Sequence, residues 1–401
     1  MKIKRWLGTW QAPYILSAIL LRLLLMPFFG HTDIFNTYRR ASRVAFEGVP
    51  LYALNEQLIH GIEAAWLLMI SVVTGSHFFT ALSSSILDIS HVNALLFLFK
   101  IPYLFGEIIM WVLLFRYLIK PERWVFLFVL FNPIMIFTSY VFGRYDTIIC
   151  ASIVLFLILV KNNAKLLQLT ASVTLMILLR PSMLLLLPVT ALIRNSIASK
   201  IVLVTVPTAI YGGVLLINKL TGGNLVNWVV GGRHSGLFFG AQLGLESDIF
   251  IFLFFAATAY AAMHLFGLYL KKRSSYRSID LVAIGGFTVF GLYYATSVFH
   301  AQYVAWILPF VYVLLYRFRK DPVFWAGILG LHLLYFVVIM TRLTFGEPTN
   351  FILLFPIAPV FAQIPLPEQL FLLSNIAKSA FTGVMIYLII YLFRHYEQVK
   401  K

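Results

Sequence analysis

The sequence predicts an all-α polytopic membrane protein, a single integral membrane domain over residues 1–401 built from about 11–13 transmembrane helices. Two observations carry this. Apolar residues make up 61% of the 401 and charged residues only 11%, with a mean hydropathy of +0.90; soluble domains run at about half apolar and a quarter charged. The apolar residues also fall in about twelve runs, many close to the ~20 residues that a helix needs to cross a bilayer.

In chain order the first run covers Trp10–Phe29, then His91–Leu118, Trp124–Val141 and Thr147–Val160. Leu166–Ile193 is interrupted by Arg180-Pro181, and a residue before proline is driven out of the helical region, so two short helices meeting at a tip are expected. Further runs are Ile201–Ile217, Ile249–Leu270, Leu281–Ser297, Tyr303–Tyr316, Val323–Met340 and Leu370–Phe393. Ala64–Thr74 reads as too short to cross. Nothing after Met1–Trp10 has the form of a signal-peptide cleavage site. With one cysteine, Cys150, neither an intramolecular disulfide nor a cysteine-based zinc cluster is expected.

Charge sets the orientation. Twenty of the 31 basic residues and four of the 15 acidic ones fall in loops on one side, from Lys2, Lys4 and Arg5 through Arg116, Lys161, Lys271 and Arg317 to Lys401. Those loops are cytoplasmic by the positive-inside rule, and both termini with them. The formal net charge of +16 is thus explained by topology, since the basic residues are scattered between apolar runs and form no nucleic-acid-binding domain. All the long polar loops fall outside: 31–90, 218–248 and 341–369. In the first, Ile34, Tyr38, Ala41 and Ala45 recur at helical spacing, which predicts an amphipathic helix on the membrane surface. Gly48 and Pro50 end it.

Charges within apolar runs are costly and usually face a cavity or partner. Lys100 and Glu107, seven apart, share one helical face, either as a structural pair or as part of a site. Arg22 reads as a ligand for helix-break carbonyls. Arg39, Arg40 and Arg43 read as a solvated or lipid-headgroup face, and Lys378 as a snorkelling side chain. Asp33, Lys100, Arg144, Asp146, Arg180, Arg233, His234, His300, Gln302 and Tyr303 are all expected at the outer end. Arg144 and Asp146 could also simply neutralise each other.

The order of these residues resembles membrane glycosyltransferases of the GT-C type, in particular polyprenyl-phosphate-mannose-dependent mannosyltransferases and the first mannosyltransferase of the GPI-anchor pathway. Arg22-Leu23 before Asp33, Glu47-Gly48-Val49-Pro50-Leu51-Tyr52, Lys100-Ile101-Pro102 with Glu107, Phe131-Asn132-Pro133 leading to Gly143-Arg144-Tyr145-Asp146, Leu179-Arg180-Pro181, and Gln302-Tyr303 through Trp306 to Pro309 carry the likeness. Where GPI-type enzymes have an acidic pair in the first loop, this chain has His31 two residues before Asp33. No carboxylate pair is therefore offered to a metal there.

The resemblance implies transfer of a hexose, mannose first, from a polyprenyl-phosphate sugar to a glycolipid, polymer or protein acceptor on the outer face, with inversion at the anomeric carbon. A lipid phosphate is already a good leaving group, so a base near the acceptor hydroxyl and cations around the phosphate suffice. Asp33 is the candidate base and Asp146 its reserve. Arg180, Lys100, Arg144 and Arg233 are candidates for the phosphate, with His234 beside Arg233. His300, Gln302 and Tyr303 are candidates for sugar hydroxyls or the phosphate rim. No cofactor is expected beyond a divalent metal, which the residues leave open. Membrane lipid is an expected partner, an accessory membrane subunit a candidate one, and the bacterial plasma membrane the expected location, or the ER membrane with a luminal site in a eukaryote. The competing reading is a polyprenyl-lipid flippase or secondary transporter, which would also set charges around a cavity.

Overall fold

The computed structural model describes residues 10–54, 56–75, 91–120, 122–223, 257–265, 278–296, 301–344 and 368–395, and every regular element among them is helical. The helices are α1 (Gln11–Leu25), α2 (Thr32–Glu47), α3 (Gln57–Thr74), α4 (Val92–Leu113), α5 (Arg123–Leu130) and α6 (Pro133–Ile136). They continue with α7 (Asp146–Lys161), α8 (Leu166–Leu179), α9 (Leu187–Ala191), α10 (Ile197–Leu220), α11 (Ser278–Thr296), α12 (Leu308–Arg317), α13 (Pro322–Val338) and α14 (Glu368–His395). Residues 257–265 form a further helical stretch.

Seven of the described helices, taken with their π-helical continuations, are long and apolar enough to cross a membrane; three shorter apolar ones, Gln11–Leu25, Leu166–Leu179 and Pro181–Ala191, accompany them. This is the pattern of a multi-pass helical membrane protein. The expectation for Ala64–Thr74 is corrected: it is the C-terminal part of an 18-residue helix that begins at Gln57 and meets the length and hydropathy of a span. The polar residues of its first two turns, among them His60 and Glu63, are buried in protein contacts, so the helix extends where apolarity alone would end it.

α11 is the axis of the bundle. Its span is 94% buried, whereas that of α10 is 22% buried and that of α14 is 33% buried, which places those two at the lipid-facing rim. α4 packs along α7, α8 along α10, α13 along α14, and α11 against both α12 and α14. Close approach of α4 and α7 requires Gly106, where a Cβ would lie 3.2 Å from the Ile148 backbone.

Several helices are broken, each for a local reason. Asn132 caps α6, its side-chain oxygen accepting from the Met135 N–H at 3.2 Å, with Pro133 at the first helical position. α6 then widens into a π-helical segment, Phe137–Phe142, which Gly143 closes at φ +89°. α8 stops at Arg180 because Pro181 follows, and a 3-10 segment, Pro181–Leu186, leads into α9. A second 3-10 segment, Ala301–Ile307, precedes α12. Polar contacts tie the breaks to their neighbours. His332 donates from Nδ1 to the Ile328 carbonyl at 2.8 Å and so accepts from the Asn132 amide at 3.0 Å through Nε2. The Cys150 thiol donates to the Ala305 carbonyl at 3.3 Å, joining α7 to the second 3-10 segment.

The expected amphipathic helix is present as α2. Ile34, Phe35, Tyr38 and Ala41 are buried, while Arg40 and Arg43 are exposed and Arg43 pairs with Glu47 at 3.6 Å. Gly48, at φ +72°, ends it as expected.

Candidate functional site

The cluster at the end of the bundle expected to face outward is assembled from interruptions in helical order. The chain entering α2 supplies His31 and Asp33, and the residue before α3 supplies Glu56. The turn into α7 supplies Arg144, Tyr145 and Asp146, the α8–α9 break supplies Arg180, and the second 3-10 segment supplies Gln302, Tyr303 and Trp306. At such breaks the side chains leave the helix surface in directions that a continuous helix forbids.

Tyr145 is the hub. Its hydroxyl accepts from Arg144 at 2.9 Å and from Arg180 at 2.8 Å, and donates to Glu56. Both lone pairs and the proton are therefore used, and two guanidinium groups are held side by side on one oxygen. Arg180 is also ion-paired with Glu56, and its guanidinium lies 4.8 Å from the Tyr303 ring centre and 5.2 Å from that of Trp306. Glu56 itself sits in the left-handed region at φ +60°, unusual for a residue with a Cβ, so the local backbone is strained where the pair is made.

Asp33 opens the first turn of α2. His31 caps that helix by accepting from the Asp33 N–H at 3.1 Å, and its ring stacks on Phe142 at 4.1 Å. The Asp33 carboxylate is 36% exposed and lies 3.7 Å from Arg144, which also donates to Thr37 at 3.4 Å. Asp146 is instead buried: one oxygen accepts from the Trp306 indole at 2.6 Å, and the other has no hydrogen-bond partner among the described residues. Arg144 and Asp146 are thus turned to different partners. Burial works against the charge on Arg144, but the oxygens of Tyr145, Asp33 and Asp146 around it outweigh that and hold its proton more firmly than usual. The arrangement offers one accessible carboxylate beside two oriented cations, with an aromatic wall of Tyr303 and Trp306.

Lys100 lies one layer below. It is fully buried, and its ammonium donates to the carbonyls of Met26 at 2.9 Å, Tyr140 at 2.9 Å and Phe29. All three of its protons go to backbone freed at the end of α1 and in the π-helical segment. The suggested pairing of Lys100 with Glu107 is corrected: Glu107 forms a two-pronged pair with Arg22, 2.7 Å on each prong, and accepts from Tyr140 at 2.6 Å. Arg22 also donates to the Leu130 carbonyl at 2.7 Å, where α5 breaks, and to Ala18 at 3.0 Å, in line with its expected role toward helix-break carbonyls. Lys378 donates to the Tyr294 carbonyl.

Gln302 and Tyr303 are both buried at the cluster's aromatic side. Arg233, His234 and His300 lie outside the described residues. Among the described residues, no group of three or more His, Cys, Asp and Glu side chains is arranged to hold a metal ion.

Sequence reading missed Glu56 as a site residue, and with it Glu63. Glu63 accepts from Tyr103 at 2.8 Å and lies 3.3 Å from His60, all three buried between α3 and α4. The available signal was that both are carboxylates in a predicted outer loop that holds no Lys or Arg between Arg43 and Lys100. Compared with known proteins, the chain matches no protein family, no curated sequence and no solved structure.

Proposed function

We propose that the protein is a membrane glycosyltransferase of the GT-C type that moves a hexose, mannose as the first candidate, from a polyprenyl-phosphate sugar to a lipid-, polymer- or protein-linked acceptor at the outer membrane face. The observation that carries this reading is the joining of Arg144 and Arg180 on the Tyr145 hydroxyl next to the accessible carboxylate of Asp33.

In the reaction the acceptor hydroxyl attacks the anomeric carbon, its proton passes to Asp33, and the bond from that carbon to the phosphate oxygen breaks with its electron pair. The configuration inverts because the attack is opposite the leaving group. Arg180 and Arg144 receive the phosphate charge. Glu56 and Tyr145 fix both in advance, so little reorganisation is needed as that charge develops. Asp33 serves as the base rather than Asp146 because it is the more accessible of the two, while Asp146 orients the aromatic wall through Trp306. Lys100 supports the floor of the site through its three carbonyls and takes no part in phosphate binding. Arg233, His234, His300, Gln302 and Tyr303 complete the substrate contacts in this reading.

The test is transfer of radiolabelled sugar from a panel of polyprenyl-phosphate sugars into membrane glycolipid, wild type against Asp33→Asn at matched expression. Loss of a positioned general base predicts a fall of roughly 10²–10⁴-fold. Thermal stability should hardly change, because a partly exposed pair at 3.7 Å contributes only about 0–1 kcal/mol. Equal transfer by both forms would remove Asp33 from this role. Uptake of intact lipid-linked sugar into sealed vesicles without transfer would replace the enzyme by a carrier.

A further inference from the structure

The opposite end of the bundle, where Arg116, Lys120, Lys161 and Arg317 come together, contains a cavity of about 340 Å³. It lies between the end of α4, the end of α7, the start of α11 and the end of α12. Arg116, Lys120, Lys161 and Arg317 line it, and no carboxylate is among the described residues of its wall. The remaining wall is largely apolar, with Phe115, Leu118 and Val313.

The cavity has a local cause. After Leu113, α4 widens into a π-helical turn, Leu114–Leu118, which ends in the extended residue Ile119. The widened turn leaves the Tyr117 carbonyl free to accept from Lys161, so that lysine is drawn to the rim. Arg317 is fixed by the buried Asp280 at 2.8 Å. Two cations are thus anchored at the cavity, while Arg116 and Lys120 are exposed arms beside it, Arg116 stacking over Tyr117 at 5.4 Å. Four cations, of which Arg317 is already balanced by Asp280, over an apolar wall match an amphiphile with an anionic head.

We propose that this cavity binds the phosphate headgroup of an anionic phospholipid from the leaflet on the basic side, with an acyl chain along the Phe115–Val313 wall. The apolar lining favours a lipid over a free phosphate ion, and clustered Lys and Arg at a membrane surface attract anionic lipid. The site is separate from the outer cluster and does not depend on the reaction proposed there.

The test uses the full chain purified in a zwitterionic detergent, titrated in turn with phosphatidylglycerol, phosphatidylcholine and inorganic phosphate, and read by thermal shift and native mass spectrometry. Phosphatidylglycerol should raise Tm and give a bound adduct, and phosphatidylcholine should do neither. Arg116→Gln/Lys120→Gln changes only exposed side chains, so folding is retained; it should need at least about tenfold more phosphatidylglycerol for the same shift. Lys165→Gln/Lys200→Gln, which removes two charges at the same end but outside the cavity, should behave as wild type. An unchanged response in the first pair, an equal loss in the second, or a full response to millimolar inorganic phosphate would each overturn the proposal.

Discussion

Replacing Glu107 by glutamine tests how strongly the buried Arg22–Glu107 pair holds α1, α4 and the α5–α6 break together. Both side chains are fully buried, and Arg22 uses four of its five N–H donors: two on Glu107, one on Leu130 and one on Ala18. Glu107→Gln keeps the shape but leaves the guanidinium without its counter-charge, a change of about 3–5 kcal/mol for a buried pair broken on one side. Arg22→Met leaves the carboxylate uncompensated, at a similar cost. The double variant Arg22→Met/Glu107→Leu leaves no stranded charge. Its remaining penalty is the Tyr140 hydroxyl and the Leu130 carbonyl, about 1–3 kcal/mol each.

The double variant should therefore be less damaged than the two single variants summed, with a coupling of about 3 kcal/mol. At roughly 2 °C per kcal/mol for a large domain, each single variant should lose about 6–10 °C in Tm, measured by thermal unfolding in detergent. Single variants within a degree of wild type, or a double variant equal to the sum, would refute the reasoning that this pair is coupled and dry.

Lys100→Met should lower Tm by the equivalent of about 2–4 kcal/mol, because three carbonyls lose their donor, while the KM for donor sugar stays unchanged at a temperature where the variant is folded; a rise in KM at constant stability would return Lys100 to the phosphate. Gly143→Ala should destabilise by about 1–3 kcal/mol, since a Cβ at φ +89° is strained and would sit 3.1 Å from Ile34 and 3.3 Å from Lys100; urea or thermal melts check it. Tyr145→Phe removes the oxygen that joins Arg144, Arg180 and Glu56, and should lower kcat about ten- to a hundredfold in the transfer assay with a smaller effect on acceptor KM.

Much of the fold was legible because membrane insertion writes itself in composition. Runs near span length gave the helices, with ends mostly within a few residues, and Arg180-Pro181 gave the α8–α9 break because the constraint acts between adjacent residues. The amphipathic α2 was legible for the same reason, its buried face being fixed by spacing alone. The start of α3 was not, since His60 and Glu63 look like loop residues until Tyr103 is brought to them from α4.

What the sequence determined by itself is a helical membrane chain, its apolar runs, its asymmetry of charge and the inventory of polar groups that such a chain tolerates. Tertiary structure alone decided which of those groups meet. Lys100 and Glu107 share a helical face, yet each turns to a different distant partner, the carbonyls of a broken helix for one and Arg22 for the other. Glu56 joins Arg180 across 124 positions of sequence. In a low-dielectric interior each charge must find a partner, and local spacing restricts where a side chain can point. The choice among partners depends on which helix breaks the packing brings alongside.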